Sequence, residues 1–151
     1  MIKEKIKALQ IIHIALTLGS LVYIFITTAV AFKPLHTTPV DEEQIFVGVA
    51  VVFALSISVI SKFIFSKVVD KAKAETTIEK KLDSYRTAFI IKVAMLEAST
   101  LFSCTITLIT GCYLTIGLAF MTWLILALQR PTEMSIADDL GISPSEENRT
   151  F

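Results

Sequence analysis

Four long apolar segments dominate the pattern of hydrophobic and polar residues along the chain. They run over residues 8–32, 45–65, 87–110 and 112–128. Each approaches or exceeds the ~20 residues that a helix needs to cross a bilayer, and the last is the shortest. Because the runs are continuous, and not alternating segments of ~10 residues, they indicate helices and exclude barrel strands. The pattern therefore predicts an all-α integral membrane protein.

The connection between the second and third segments is charged, but it contains no glycine or proline. Good helix formers fill residues 68–85, with intermittent apolar positions. We expect the second and third helices to extend past the membrane as a cytoplasmic helical hairpin that turns near residues 75–77. The predicted architecture is a four-helix transmembrane bundle over residues 1–130, followed by a short, partly helical cytoplasmic tail over residues 131–151.

Positive charges gather on one side of this predicted bundle. The hydrophobic content, 54%, exceeds what a soluble domain of 151 residues needs, and the net charge is zero. Twelve of the 14 lysine and arginine residues precede the first segment, lie near or within the second-to-third connection, or follow the fourth segment. The connection between the first two segments has Lys33 as its one basic residue, beside three acidic residues. The positive-inside rule therefore predicts that both termini are cytoplasmic.

The tail carries its own helix signals. Pro131 is expected to end the fourth helix. Thr132 can cap a short helix that extends to about Leu140 and is closed by Gly141. Its apolar side could lie on the membrane surface, dock on a partner, or pack against the protein's own hairpin. A second helix start is indicated at Ser143, which is followed by proline at the first helical position.

Glu97 is the most informative residue of the chain. It is the one acidic residue of the third apolar segment, eleven positions after Arg86 and thirteen before Thr110. Helix rise therefore places it near the middle of the membrane. An isolated charge there costs at least ~2.5–3.5 kcal/mol. We expect the carboxyl group to be protonated at neutral pH and hydrogen-bonded to a hydroxyl group on an adjoining helix.

Other polar residues lie within the apolar segments and complete a predicted intramembrane polar site. Thr100 shares a helix face with Glu97. Lys92 is about 140° round the helix from Glu97, so we favour a side chain that extends to the lipid headgroups over an intrahelical ion pair. His13 is expected to be neutral and hydrogen-bonded, with a contact to Lys92 or Glu97 as the alternative. The predicted site comprises Glu97, Thr100, Lys92, His13, Ser20, Ser56 and Ser58.

The sequence contains no motif for catalysis or metal binding. Cys104 and Cys112 flank the outer turn, but Cys104 lies well inside a helix, so we expect no disulfide. Metal-ligand spacings, phosphate loops and nucleophile–base pairs are missing from the sequence. We therefore expect no enzymatic activity, no cofactor and no nucleic-acid binding. The basic start and first apolar segment have a signal-peptide character, but the segment is too long, so we expect it to remain as the first span.

Two resemblances arise from the third segment. Residues 81–102, with Arg130-Pro131-Thr132 and Asp138-Asp139-Leu140, resemble an uncharacterised family of four-span membrane proteins of Bacteroidota. That resemblance implies a multi-pass protein of the bacterial inner membrane. Residues 89–102 are also similar to the carboxylate helix of ATP synthase c subunits, where the residue that matches Glu97 carries the ion. The second segment lacks that family's glycine ladder, and the polar connection lacks its Arg-Gln/Asn-Pro signature.

Two functions follow as hypotheses. The first is a non-enzymatic membrane subunit or scaffold in which Glu97 is a structural contact between helices. The second is a small transporter or proton-coupled protein in which Glu97 titrates. Four helices enclose little space, so we expect a homo-oligomer or a larger membrane complex, with the lipid bilayer as the immediate surroundings.

Overall fold

The computed structural model of the protein describes residues 2–31 and 40–142, and all regular secondary structure in these ranges is helical. The five helices, in chain order, are α1 (Ile2–Ala31), α2 (Val40–Lys73), α3 (Ile78–Thr110), α4 (Tyr113–Leu128) and α5 (Glu133–Leu140). The all-α prediction is confirmed for these residues, and so is the long helical hairpin, which turns at residues 74–77. The predicted connection at Lys33 and the predicted helix start at Ser143 lie outside the described residues.

Three helices, α1, α2 and α3, are long and apolar enough to cross a bilayer. They contain 30, 34 and 33 residues, which correspond to lengths of ~45 to ~51 Å. Helix α4 has 16 residues, or ~24 Å, and is shorter than the hydrocarbon core of a bilayer. Helix α4 is long and apolar enough for a span when it is taken together with α5. The two helices meet at a bend of 83°.

The short length of α4 has a local cause. The helix ends at Leu128, three residues before the proline that was expected to end it, and the N–H of Gln129 donates to the carbonyl of Leu126 in a tightened last turn. Pro131 lacks an N–H group, and its ring disfavours the helical conformation of Arg130. The chain therefore leaves the helix early and turns into α5.

Glycine residues end α3 and α5, and a threonine begins α5. Gly111 adopts a left-handed conformation with φ of 69° after α3, and its N–H donates to the carbonyl of Thr107. Thr132 caps α5, where its hydroxyl oxygen accepts a hydrogen bond from the N–H of Ser135. Gly141 closes α5 with φ of 65°. A side chain at either glycine would be strained in this backbone conformation. The prediction of the tail helix is confirmed.

Helix α3 lies at the centre of the molecule. It contacts α1, α2, α4 and α5, whereas α1 packs on α3 and α4, and α2 packs mainly along α3. In the most apolar stretch of α3, 44% of the residues are buried, compared with 17% in α1 and in α2. The neighbouring helices are thus held together chiefly through α3.

A large apolar core fills the end of the molecule where the α2–α3 turn meets the start of α1, which we call the basic end. Ile136, Ala137 and Leu140 of α5 are buried, so this helix packs against the protein's own hairpin, one of the three alternatives left open above. Lys5 of α1 and Asp83 of α3 form an ion pair at 2.7 Å over the core. The core consists of Ile6, Leu9, Val69, Ala72, Leu82, Tyr85, Ala88, Phe89, Val93, Leu96, Leu126, Ile136 and Leu140.

Toward the α3–α4 turn the molecule has the opposite character. Its interior there is rich in small polar residues beside a small apolar cluster of Ile24, Cys104 and Ala119, while its surface is apolar. The exposed large apolar side chains form a belt over residues 11–30, 45–63, 91–109 and 113–128. Within these ranges Lys62 is the one fully exposed charged residue, and it lies at the edge of the belt. The buried polar residues of this part are Ser20, Thr27, Ser99, Thr100, Ser103, Thr107, Thr110, Thr115 and Thr122.

We predict that Ile136→Ala weakens the docking of α5 by about 2–5 kcal/mol, because it leaves a cavity in the apolar core. Hydrogen exchange of the α5 amides measures this loss directly. Met134→Ala is the matched control on the same helix, since Met134 is 71% exposed and Ile136 is fully buried. The control should change docking by less than about 0.5 kcal/mol. Equal exchange in the two variants would contradict the packing described here.

Candidate functional site

Glu97 connects the central helix to α1. The carboxylate oxygen Oε1 of Glu97 lies 3.4 Å from the hydroxyl oxygen of Ser20, which is fully buried. Ser20 also donates to the carbonyl of Leu16 at 2.9 Å. A hydroxyl group has one hydrogen, so Ser20 shares it between two acceptors, the carbonyl of Leu16 and Oε1 of Glu97. The contact with Ser20 therefore uses the carboxyl group of Glu97 as an acceptor, and a proton on this group is left for a second contact.

The side chain of Glu97 is half-buried and lies at the border of an open face of α3. Ala94, Ala98 and Thr105 are exposed on this face, at helical spacings that place them within about 100° of Glu97. Small side chains let a neighbouring helix approach closely. Ser20 therefore contacts one oxygen of a carboxyl group that lies at the border of this open face.

Two threonine pairs join α3 to α4. The hydroxyl oxygens of Thr100 and Thr122 are 3.0 Å apart, and those of Thr107 and Thr115 are 2.8 Å apart. Each of the four hydroxyl groups also lies within hydrogen-bonding distance of a carbonyl of its own helix. In each pair, one hydroxyl can donate to its own backbone and the other can donate across the interface. All four groups are buried, so these bonds replace contacts with water.

Helix α1 is tied to the end of α4 by side chains that bond to backbone carbonyls. The Nε2 atom of His13 is 3.0 Å from the carbonyl oxygen of Leu126. Because a carbonyl can only accept, Nε2 carries the hydrogen. Gln10 donates to the carbonyl of Pro131 at 3.0 Å. Near the middle of α1, Trp123 donates to the carbonyl of Thr17 at 2.9 Å. These bonds fix the bend between α4 and α5.

A polar cavity of about 290 Å³ lies at the basic edge of the belt, where α4 ends. We call it the Lys92 cavity. The ammonium group of Lys92 lies 4.3 Å from the centre of the Phe65 ring, a distance suited to a cation–π contact. The polar side chains that line the cavity are Tyr85, Lys92, Gln129, Arg130, Ser135 and Asp139.

Tyr85 and Asp139 form the floor of this cavity. The Tyr85 hydroxyl donates to the Asp139 carboxylate at 3.1 Å. Burial, and then the negative charge of Asp139, raise the pKa of Tyr85, which lies six positions before the belt begins on α3. The phenol therefore remains a hydrogen-bond donor at neutral pH. Asp139 accepts this hydrogen bond on the surface of α5 that faces the cavity.

The structure does not bring the seven predicted site residues together. Glu97 contacts Ser20, and Thr100 contacts Thr122, whereas Lys92 lies in the cavity at the basic edge. His13 is hydrogen-bonded, as expected, but its partner is the carbonyl of Leu126 at the end of α4. The predicted alternative was a contact with Lys92 or Glu97, and this hydrogen bond is neither.

The two serines of α2 lie elsewhere. Ser58 donates to the carbonyl of Ala54 in its own helix at 2.7 Å. Ser56 is exposed and lines a shallow groove on the outer side of α2. The prediction included these serines because they lie at the same depth as Glu97. In the structure, Ser58 bonds to its own helix and Ser56 faces outward.

Sequence reasoning missed the polar members of the Lys92 cavity other than Lys92. One signal was available, because Tyr85, Phe89 and Lys92 are spaced at i, i+4 and i+7 and so share a helix face. The contributions of Arg130 and Asp139 could not be read in this way. They depend on the 83° bend that folds α5 back over the hairpin.

The described residues contain no cluster of three or more histidine, cysteine or acidic side chains able to hold a metal ion. Both cysteines are free, Cys104 in the interior and Cys112 at the turn. No protein-family model, curated protein or solved structure matches the chain. The resemblances drawn from the sequence therefore stay predictions.

We predict that the Thr100–Thr122 bond stabilises the protein by about 0.6 kcal/mol, and by no more than about 1.7 kcal/mol, the range measured for hydrogen bonds between membrane helices. A double-mutant cycle with Thr100→Val and Thr122→Val, followed by unfolding in detergent, gives this coupling free energy. The control cycle replaces Thr100→Val with Thr105→Val, because Thr105 is exposed and bonds within its own helix. A coupling as large in the control cycle would show that the bond is not responsible.

Proposed function

We propose that this protein is a non-enzymatic integral membrane protein that serves as a subunit or scaffold and pairs with a second copy through the face of α3 that carries Glu97. The observation that carries the proposal is the arrangement around Glu97, a half-buried carboxyl group at mid-depth of an apolar belt with one satisfied side.

The belt supports insertion into a bilayer. On α1, α2 and α3 it covers residues 11–30, 45–63 and 91–109, and each range corresponds to a height of ~29–30 Å. This agrees with the ~30 Å hydrocarbon core of a bilayer. An apolar surface over a polar interior is unfavourable in water, because both the apolar surface and the buried hydroxyl groups carry a cost. It is the arrangement expected when hydrocarbon surrounds the protein.

The charges at the two ends support an orientation. Three acidic residues begin α2, while α1, the α2–α3 hairpin and the residues after α4 carry the basic residues of the other end. The positive-inside rule then places the basic end in the cytoplasm. Four crossings, with α4 as an incomplete one, bring both termini to that side, in a bundle of the inner membrane of a bacterium.

We predict that an impermeant maleimide labels Asp41→Cys in intact spheroplasts and labels Glu75→Cys only after lysis. Both residues are exposed, and they lie at opposite ends of α2 and the following turn. The native cysteines are removed as Cys104→Ala and Cys112→Ser, and this background without a new cysteine is the control. Labelling of both positions before lysis would exclude the proposed insertion.

The carboxyl group of Glu97 suits a symmetric contact. A protonated carboxyl group has one donor and acceptor capacity, so two of them can satisfy each other across a two-fold axis. A charged group in the same place would be costly. Ala94 and Ala98, exposed beside Glu97 and one helical turn apart, would let two α3 helices approach closely.

We predict that Ala98→Cys, in the same cysteine-free background, forms a disulfide between two copies in native membranes under mild oxidation. The matched control is Val52→Cys, which is exposed in the belt on α2. The control should stay monomeric. Adding Glu97→Leu to Ala98→Cys should lower cross-linking about tenfold, since a lost pair of hydrogen bonds is worth about 1.4 kcal/mol or more.

The variant Glu97→Gln separates the scaffold from a proton-coupled function. Glutamine keeps a donor and an acceptor but cannot titrate. A scaffold should retain cross-linking and every cellular phenotype in this variant. Retained cross-linking with a lost phenotype would favour the proton-coupled alternative, and cross-linking of Val52→Cys in place of Ala98→Cys would contradict the proposed contact face.

A further inference from the structure

The Lys92 cavity contains a cation that Asp139 attracts electrostatically but with which, among the described residues, no acidic group forms an ion pair within 4.0 Å. The ion pairs within 4.0 Å in the described part of the chain join Lys5 to Asp83 and Lys73 to Asp70. Lys92 is half-buried, with its ammonium group on the Phe65 ring. The carboxylate of Asp139 accepts from Tyr85 in the same cavity. A partly dehydrated ammonium group gains from an anion that reaches it.

The charge of the cavity sets the charge of that anion. Lys92 and Arg130 contribute two positive charges and Asp139 one negative charge, which leaves one positive charge uncompensated. Lys62 also acts electrostatically on Lys92, although more weakly than Asp139 does, and it adds to the positive potential. A phosphate diester carries one negative charge, and the planar fork of an arginine matches its oxygens. The lining thus fits a phosphate ester of single charge.

A groove next to the cavity indicates where such a phosphate ester would come from. It has a volume of about 270 Å³ and lies between α1 and α4. Arg130 lines both spaces. Apart from Arg130, the groove is lined by His13, Thr17 and apolar side chains of the belt, including Ile14 and Leu18. A molecule with a phosphate group on Arg130 and a hydrocarbon chain along this groove would contact both, which favours a phospholipid over a soluble phosphate ester.

We propose that Lys92 and Arg130 form a binding site for the phosphate group of an anionic phospholipid, with one acyl chain in the groove between α1 and α4. Basic pockets between helices at the cytoplasmic edge of a membrane bind lipid headgroups in this way. The inference rests on the proposed insertion into the membrane, and it is independent of pairing through Glu97.

Native mass spectrometry of the full chain, solubilised in detergent with phosphatidylglycerol, measures the retained lipid. The double variant Lys92→Met with Arg130→Gln should lower retention about tenfold or more, because charge-assisted hydrogen bonds are lost. The matched control, Lys71→Gln with Lys80→Gln, makes the same change of charge at two exposed residues outside the cavity. It should keep retention within about twofold of the wild type, since exposed charges act weakly.

Asp139→Asn tests the proposal in the opposite direction. Asparagine still offers an oxygen to Tyr85, while the negative charge that competes with the phosphate is removed. Retention of phosphatidylglycerol should rise about threefold to tenfold. Because this variant is expected to gain lipid, a loss of folding cannot imitate the result.

The remaining comparisons separate the possible outcomes. Equal retention in the wild type and in the double variant at the cavity would overturn the proposal, as would an equal loss in the Lys71→Gln, Lys80→Gln control. Displacement of the lipid by millimolar glycerophosphoglycerol, a soluble phosphate diester, would support the phosphate site but overturn the lipid as its source. Normal lipid retention in Glu97→Leu would support the independence of this site from pairing, and the cysteine labelling described above tests membrane insertion separately.

Discussion

Hydrogen bonds from the hydroxyl groups of α3 to its own backbone are the interaction on which the rest of the fold depends. Thr100, Ser103 and Thr107 each lie within hydrogen-bonding distance of the carbonyl four residues earlier. In the half of α3 toward the α3–α4 turn, small side chains let the neighbouring helices pack closely. The polar atoms of these short side chains need little from outside the helix. The threonine pairs then fix the orientation of α4 on α3, because a hydroxyl group can bond to one carbonyl and one further group at the same time.

The molecule combines two kinds of interior along one axis. At the basic end, large apolar side chains from all five helices exclude water beneath a charged surface. Toward the α3–α4 turn, small hydroxyl side chains and a small apolar cluster share the interior beneath an apolar surface. The change occurs near Lys92, at the level where α4 ends. The polar cavity lies at this level because α4 no longer covers α3 there, while α5 covers it only after a sharp turn.

Much of the fold is contained in local signals of the sequence. The hairpin followed from helix formers without a breaker, and Thr132 and Gly141 defined α5 through its caps. The length of α4 was harder to predict from the sequence, because the effect of Pro131 reaches back to Leu128 through the backbone.

The site was predicted least well, because the depth of a residue along a helix does not determine the direction in which its side chain faces. Ser20 and Ser56 have similar depth, yet Ser20 faces Glu97 and Ser56 faces outward. The partners of Lys92 come from segments that meet only after the chain has folded back, so no spacing along the sequence joins Arg130 and Asp139 to it.

The shortness of α4 has a consequence for the surrounding lipid. In the proposed placement, a helix of ~24 Å stands beside helices whose apolar ranges measure ~29–30 Å, in hydrocarbon of ~30 Å. The monolayer beside Leu128, which is 76% exposed, would have to dip to meet the early end of the helix. Such hydrophobic mismatch costs fractions of a kcal/mol per ångström and sorts proteins among membranes of different thickness. Pro131 would thus give the protein a preference for thin bilayer regions and make its position in the membrane sensitive to acyl-chain length.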